Sequence, residues 1–174
     1  ISSPTANVTL DPDTAHPELI LSEDRKSVRW GDKPQALPDN PERFNKRHCV
    51  LGREGFTAGR HFWDVTVESG EEWAVGVARK SVERKGYFNL SPEGGIWALG
   101  GKYFACTSPY YSLLSLSEKP RRIQVILDYE GGRVSFSDAD SGAELYTFSG
   151  ASFSGETLLP FFCLRGNKTD LIIS

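Results

Sequence analysis

The chain has 174 residues and a net charge of −3, with 39% hydrophobic and 25% charged residues and an aromatic set of ten Phe, six Tyr and four Trp. That length suits one domain with one core, and the apolar mass excludes disorder. The charge provides no basic field for a nucleic-acid backbone, and no apolar run approaches the ~20 residues of a bilayer span, so neither nucleic acid nor direct membrane contact is expected.

The N-terminus, ISSPTANVTLDP, lacks a charged segment followed by an apolar one, and both ends read as cut from a longer chain. DPDTA at 11–15 predicts a single helical turn with Asp11 as cap and Pro12 in the first helical position. Strands are predicted at Glu18–Ser22 and in KSVRWG, before a Pro/Asn-rich loop, PDNPERFN. HCVLG predicts a further strand around Val50 and Leu51, and FTAG a loop. HFWDVTVE alternates Trp63, Val65 and Val67 with polar residues, EWAVGVAR repeats the pattern with Trp73, Val75 and Val77, and the short SGEE link predicts an antiparallel hairpin. IWALGGKYFACT predicts two strands folded about Gly100 and Gly101. RRIQVILDYEGGRVSFSD predicts a second hairpin, and ELYTFSG, TLLPFFCL and TDLIIS three more strands. Short strands without interleaved helices point to an antiparallel β-sandwich. Trp63, Trp73 and Trp97 are assigned to its core.

Chemistry-bearing residues are sparse. Cys49, Cys106 and Cys163 are odd in number and far apart, which does not make a disulfide framework and favours a reducing compartment. Sequons begin at Asn7, Asn89 and Asn167, a pattern that arises easily by chance. His48 and Cys49 are adjacent strand residues and face opposite ways, so they make a poor catalytic pair. His61 is the better neighbour for Cys49 across a sheet, but no orienting carboxylate accompanies it. No pair of cysteines or histidines has zinc-ligand spacing. EGGIWALGGK has the wrong spacing for a phosphate loop and carries Tyr103 where Ser or Thr would hold magnesium. SDADSG lacks the remaining ligands of a calcium loop. Carboxylate pairs for glycoside hydrolysis are assembled in space, and nothing in the sequence singles one out. No cofactor, metal or catalytic group is expected.

VTLDPDTAHPELILSEDRKSV and LPDNPERF resemble the PRY segment, and CVLGREGFTAGRHFWDVTV, EWAVGVARKSVERKG, GIWAL, VILDYEGGRVSFSDA, LYTFSGASFSG and LLPFF resemble successive SPRY motifs. The chain thus resembles, over nearly its whole length, the PRY-SPRY domain of tripartite-motif ubiquitin ligases and butyrophilins. The resemblance implies an all-β, lectin-like, bent two-sheet antiparallel sandwich, with PRY over about 1–50 and SPRY over 51–174. It implies cytoplasmic, non-catalytic recognition of a protein or peptide by loops at one end. The tripartite-motif RING lies in a separate domain, and such a parent oligomerises through a coiled coil. Matched position by position, the binding residues are Arg47, His48, Ala74, Tyr87, Phe88, Phe104, Tyr110, Tyr111 and Arg165, with Tyr103 in the same aromatic set. About half of these aromatics are expected to pack inward. Phosphoantigen-sensing butyrophilins build a basic pocket on some of these positions; here Ala74, Asn89, Phe104 and Tyr110 stand there, which disfavours a small phosphate and suits a mixed pocket. Ala74 and Gly100 replace the acid and tryptophan of an antibody-binding relative. The first reading is the targeting domain of a tripartite-motif ligase, and the alternative a butyrophilin's cytoplasmic ligand sensor.

Overall fold

The computed structural model describes residues 5–174. Its described residues form thirteen strands in two antiparallel sheets. One sheet has the order β1 (Leu19–Leu21), β2 (Ser27–Trp30), β13 (Asp170–Ile173), β4 (Arg60–Glu68), β9 (Arg122–Asp128), β10 (Arg133–Asp138), β11 (Glu144–Phe148). The other runs β3 (Cys49–Leu51), β12 (Leu158–Leu164), β5 (Trp73–Arg79), β6 (Ile96–Gly100), β7 (Phe104–Ala105), β8 (Ser112–Leu113).

Period-2 alternation builds the core. Trp63, Val65 and Val67 of β4 and Ile123, Val125 and Leu127 of β9 face Trp73, Val75 and Val77 of β5 across the sandwich, all buried in one cluster. Each large side chain so removed from water contributes about 1.5–3 kcal/mol. The six-stranded sheet is buried on its second face as well: Cys49, Leu51, Ala74, Ala78, Ala98, Cys106, Phe161 and Cys163 pack there beneath Phe44, Val82 and Leu90.

Those covering residues come from loops held by buried and half-buried donors. Arg43, 3% exposed, donates to the carbonyls of Pro12, Ala15 and Pro38, so its charge is spread over carbonyl oxygens instead of an acid. Lys85 Nζ donates to the carbonyls of Asn40 and Arg43, and Asn45 Oδ1 accepts from the Gly86 N–H. The loop before β3 and the loop after β5 are thereby joined, which sets the positions of Arg47, His48, Tyr87 and Phe88.

Most predicted strands occur where expected, including the β9–β10 hairpin and the β6–β7 pair, in which Leu99 faces Ala105. Three details differ. β4 and β5 are not a hairpin: β4 pairs with β13 and β9, β5 with β12 and β6, and the link crosses between sheets. Two strands with the same apolar stripe can lie side by side or face to face, and alternation does not distinguish the two. His61 therefore lies opposite Leu127 in the other sheet from Cys49, with its ring stacked 4.0 Å from Phe56. The 11–15 segment is a hydrogen-bonded turn in which Thr14 N–H reaches the Asp11 carbonyl; the 3₁₀ turn lies instead at Pro92–Gly94, capped by Ser91.

Candidate binding site

The outer face of the six-stranded sheet has a floor of small residues. Ala74, Gly76 and Ala78 of β5 lie beside Ala98 and Gly100 of β6, because every second residue of these strands points outward. A Cβ on Gly76 would sit 2.0 Å from the Trp97 carbonyl oxygen, so glycine is required for the close approach of β6. Over this floor lie the side chains of two arginines. The Arg47 guanidinium sits 5.2 Å from the Phe88 ring, and its Nε donates to the Phe88 carbonyl. The Arg165 guanidinium lies 5.5 Å from the Phe104 ring and 5.9 Å from Tyr111, while Phe104 and Tyr111 stack at 4.8 Å with planes only 8° apart. Cation–π contacts of this kind contribute about 0.5–1 kcal/mol where exposed and hold the guanidinium planes in place.

Two clefts flank the arginines. One, of about 260 Å³, is lined by Trp30, Lys46, Arg47, His48, Tyr87, Cys163, Leu164 and Arg165. The other, of about 320 Å³, runs from Asn89–Ser91 to Thr107–Tyr111. Among the described residues, Arg47, Lys46 and Arg165 have no carboxylate partner, although other cations such as Arg79, Arg122 and Arg133 do. Arg165 Nε is buried without a hydrogen-bond partner among the described residues.

His48 forms the wall of the first cleft. Its ring stacks on Trp30 at 3.6 Å and on His16 at 3.8 Å, and its Nε2 lies 3.2 Å from Glu18 Oε1. Burial, and then the neighbouring His48, lower the His16 pKa from its ordinary 6.5 to about 4; burial also lowers that of His48, against the pull of Glu18. His16, Glu18 and His48 bring three ligand-type atoms within 4.8 Å of one another. The two rings are inclined by only 26°, however, so their planes do not meet at the ~2.0–2.1 Å from each nitrogen that a shared metal requires, and His16 Nδ1 already accepts the Glu18 N–H. The trio is a stacked wall tied to an acid.

The sequence-derived residues separate into groups. Arg47, His48, Tyr87 and Arg165 line one cleft, and Tyr110 and Tyr111 the other; Tyr87 and Tyr110 are more than 80% exposed. Phe88 and Phe104 are half-buried supports under the arginines. Ala74 is wholly buried in the floor, so it offers no surface of its own and acts through its small size. Tyr103 turns inward, edge-on to Trp73 at 5.6 Å with its hydroxyl donating to the Pro120 carbonyl, and burial pushes its pKa up to about 12. Sequence reasoning missed Trp30, His16 and Glu18. Trp30 lines the cleft, and His16 and Glu18 brace the His48 ring, only because the loop before β3 passes beside β1 and β2, a contact with no local pattern.

Comparison with known proteins gives the family. The model of the SPRY-associated domain, PRY, matches residues 8–56, and that of the SPRY domain residues 60–173. Butyrophilin subfamily 1 member A1 of Bos taurus is 53% identical over 91% of this chain, which covers 30% of that protein. E3 ubiquitin-protein ligase TRIM11 of Bos taurus is 47% identical over 96% of the chain, covering 36% of it. The chain thus spans about a third of the length of these curated relatives. Among solved structures, the TRIM65 PSpry domain superposes with a TM-score of 0.82 at 23% identity, covering 98% of this chain and 91% of that one. The stonustoxin structure superposes at 0.84 with 26% identity, covering 98% of this chain and 29% of that chain. The chain belongs to the SPRY domain family, a family of protein-interaction domains, and carries the associated PRY segment ahead of the SPRY segment.

Proposed function

We propose that this domain recognises a protein segment that presents an acidic side chain beside an apolar or aromatic one, and that it performs no catalysis. The observation that carries this reading is the arrangement of Arg47 and Arg165, held over aromatic rings and without acidic partners among the described residues, next to the exposed Tyr87 and Tyr110. A guanidinium with an open hydrogen-bonding edge takes a carboxylate in two parallel bonds, and exposed tyrosines give contact area at low entropic cost. A contact of this size supports affinity on the order of micromolar. Sequence reading favoured a mixed pocket of aromatic residues around Arg47 and Arg165; Lys46 lines the same cleft and adds a third cation.

Selection from a displayed peptide library tests the proposal, with the Arg47→Ala/Tyr110→Ala double variant as control after its melting temperature has been matched to wild type. Enrichment of Asp- or Glu-containing peptides on wild type alone is the expected result. Peptides that bind both proteins equally would overturn the site.

Two parents fit this function. As the targeting domain of a tripartite-motif ligase, the module would bring substrates to a RING carried elsewhere in a coiled-coil oligomer. As a butyrophilin tail domain, it would sense a ligand on the cytoplasmic side. The 53% identity to butyrophilin subfamily 1 member A1, against 47% to TRIM11, favours the second setting. Reading the parent transcript decides: immunoglobulin domains and a membrane span support the butyrophilin setting, and a RING with a coiled coil the other.

A further inference from the structure

Cys49 of β3 and Cys163 of β12 are direct partners across an antiparallel ladder, and both are free thiols. The surrounding hydrogen bonds tell how they are spaced. Leu164 N–H donates to the His48 carbonyl at 3.0 Å, and Gly52 N–H to the Pro160 carbonyl at 2.9 Å. Hydrogen-bonded and non-hydrogen-bonded pairs alternate along such a ladder, so 164 with 48 and 160 with 52 are bonded pairs, and 163 with 49 falls between them. Cα atoms of a non-hydrogen-bonded pair lie about 4.5 Å apart, with both side chains on one face. Disulfides span Cα separations of about 4.4–6.8 Å, so this pair is within reach without strand movement. The two thiols are close enough that each shifts the other's pKa.

Their surroundings differ. Cys49 is sealed at 0% exposure, and burial raises its pKa. Cys163, 2% exposed, borders the 260 Å³ cleft, and the adjacent Cys49 thiol, with Arg165 and Arg47 nearby, lowers its pKa. Cys106 does not share this arrangement: it is buried just after β7 with no cysteine opposite it in a ladder, and burial pushes its pKa up to about 11.

We propose that Cys49 and Cys163 form a reversible dithiol–disulfide pair beneath the binding cleft, oxidised by a small peroxide that enters through the cleft. The Cys163 thiolate attacks one peroxide oxygen and the O–O bond breaks, leaving a sulfenic acid on Cys163 and hydroxide, which is protonated to water. Cys49 then loses its proton, its sulfur attacks the Cys163 sulfur, and the S–OH bond breaks to release a second water. Two thiols and one peroxide give one disulfide and two waters; each sulfur loses one electron and the peroxide gains two. A low-molecular-weight thiol reverses the bond by exchange. His48 precedes Cys49 and Arg165 lies two residues after Cys163, so the crosslink ties together two strands that carry walls of the cleft. The chemistry does not depend on what the cleft binds.

Thiol counting and peptide mapping test the pair independently of any ligand. The folded domain is treated with hydrogen peroxide, quenched, denatured and alkylated. Before treatment all three thiols are alkylated. Afterwards only Cys106 is expected to be, with a peptide joining Cys49 to Cys163 that dithiothreitol removes. Cys106→Ser retains this crosslink, and Cys49→Ala leaves Cys163 as an acid of sulfur that dimedone traps at its first stage. Three alkylatable thiols after treatment would overturn the proposal. So would a crosslink through Cys106, or accumulation of Cys163 sulfinic acid in the wild-type protein.

Discussion

The two faces of the six-stranded sheet are built from the same strands to different ends. On the inner face β5 and β6 present Trp73, Val75, Val77, Trp97 and Leu99, which meet the other sheet and close the main core. On the outer face the same strands present Ala74, Gly76, Ala78, Ala98 and Gly100, a shallow floor over which loops, two arginines and stacked aromatics are laid. Large side chains on the first face fill the space between the sheets, and small ones on the second let the covering loops with Phe44, Val82 and Leu90 pack close to the strands. A strand alternating large with small residues, rather than apolar with polar, is buried on both sides.

Mutations separate these roles. Trp73→Ala on the inner face is expected to cost about 3–5 kcal/mol, because Trp73 is 1% exposed and its removal leaves a cavity that rigid strands close poorly; denaturant unfolding measures it. On the outer face Gly76→Ala forces a Cβ against the Trp97 carbonyl, and a loss of about 1–3 kcal/mol is expected from the backbone shift that follows. A neutral outcome would show that β5 and β6 can separate.

The wall of the cleft responds to pH. The unfolded chain takes a proton on His16 near 6.5 and the folded one only near 4, so stability is fully present above 6.5 and falls as the pH drops through that window. The full shift corresponds to about 3 kcal/mol, which screening by nearby solvent lowers to about 2 kcal/mol, with His48 adding in the same direction. His16→Phe keeps the stack and removes the titration. Its stability should be flatter than wild type between pH 6.5 and 4, and parallel curves would show that His16 is not the group responsible.

Tyr110→Ala is the smallest case. Its side chain is 82% exposed, so a stability change within about 0.5 kcal/mol is expected, with any effect confined to ligand binding. A larger change would move Tyr110 from the binding surface to the fold.

Much of this was readable in advance. Alternation at Trp63–Val67 and Ile123–Leu127 marks half-buried strands because it reports which side of each strand avoids water. It does not say which strands are neighbours, and for that reason β4 and β5 looked like a hairpin. The aromatic residues around the cleft were recognisable as a group, but Tyr103 and Tyr111 share composition and not direction. Tyr103 turns to the core because Pro120 offers its hydroxyl a buried acceptor.

The sequence alone determined the all-β class, most strand positions, the inward tryptophans and the family resemblance, since each depends on local periodicity or contiguous motifs. Only the tertiary structure decided the crossing of β4 and β5 between sheets, the stack of Trp30, His48 and His16, and the opposition of Cys49 and Cys163. Those depend on strand register and loop packing between residues as many as 114 positions apart, where water exclusion and backbone pairing act together and leave no signature in spacing.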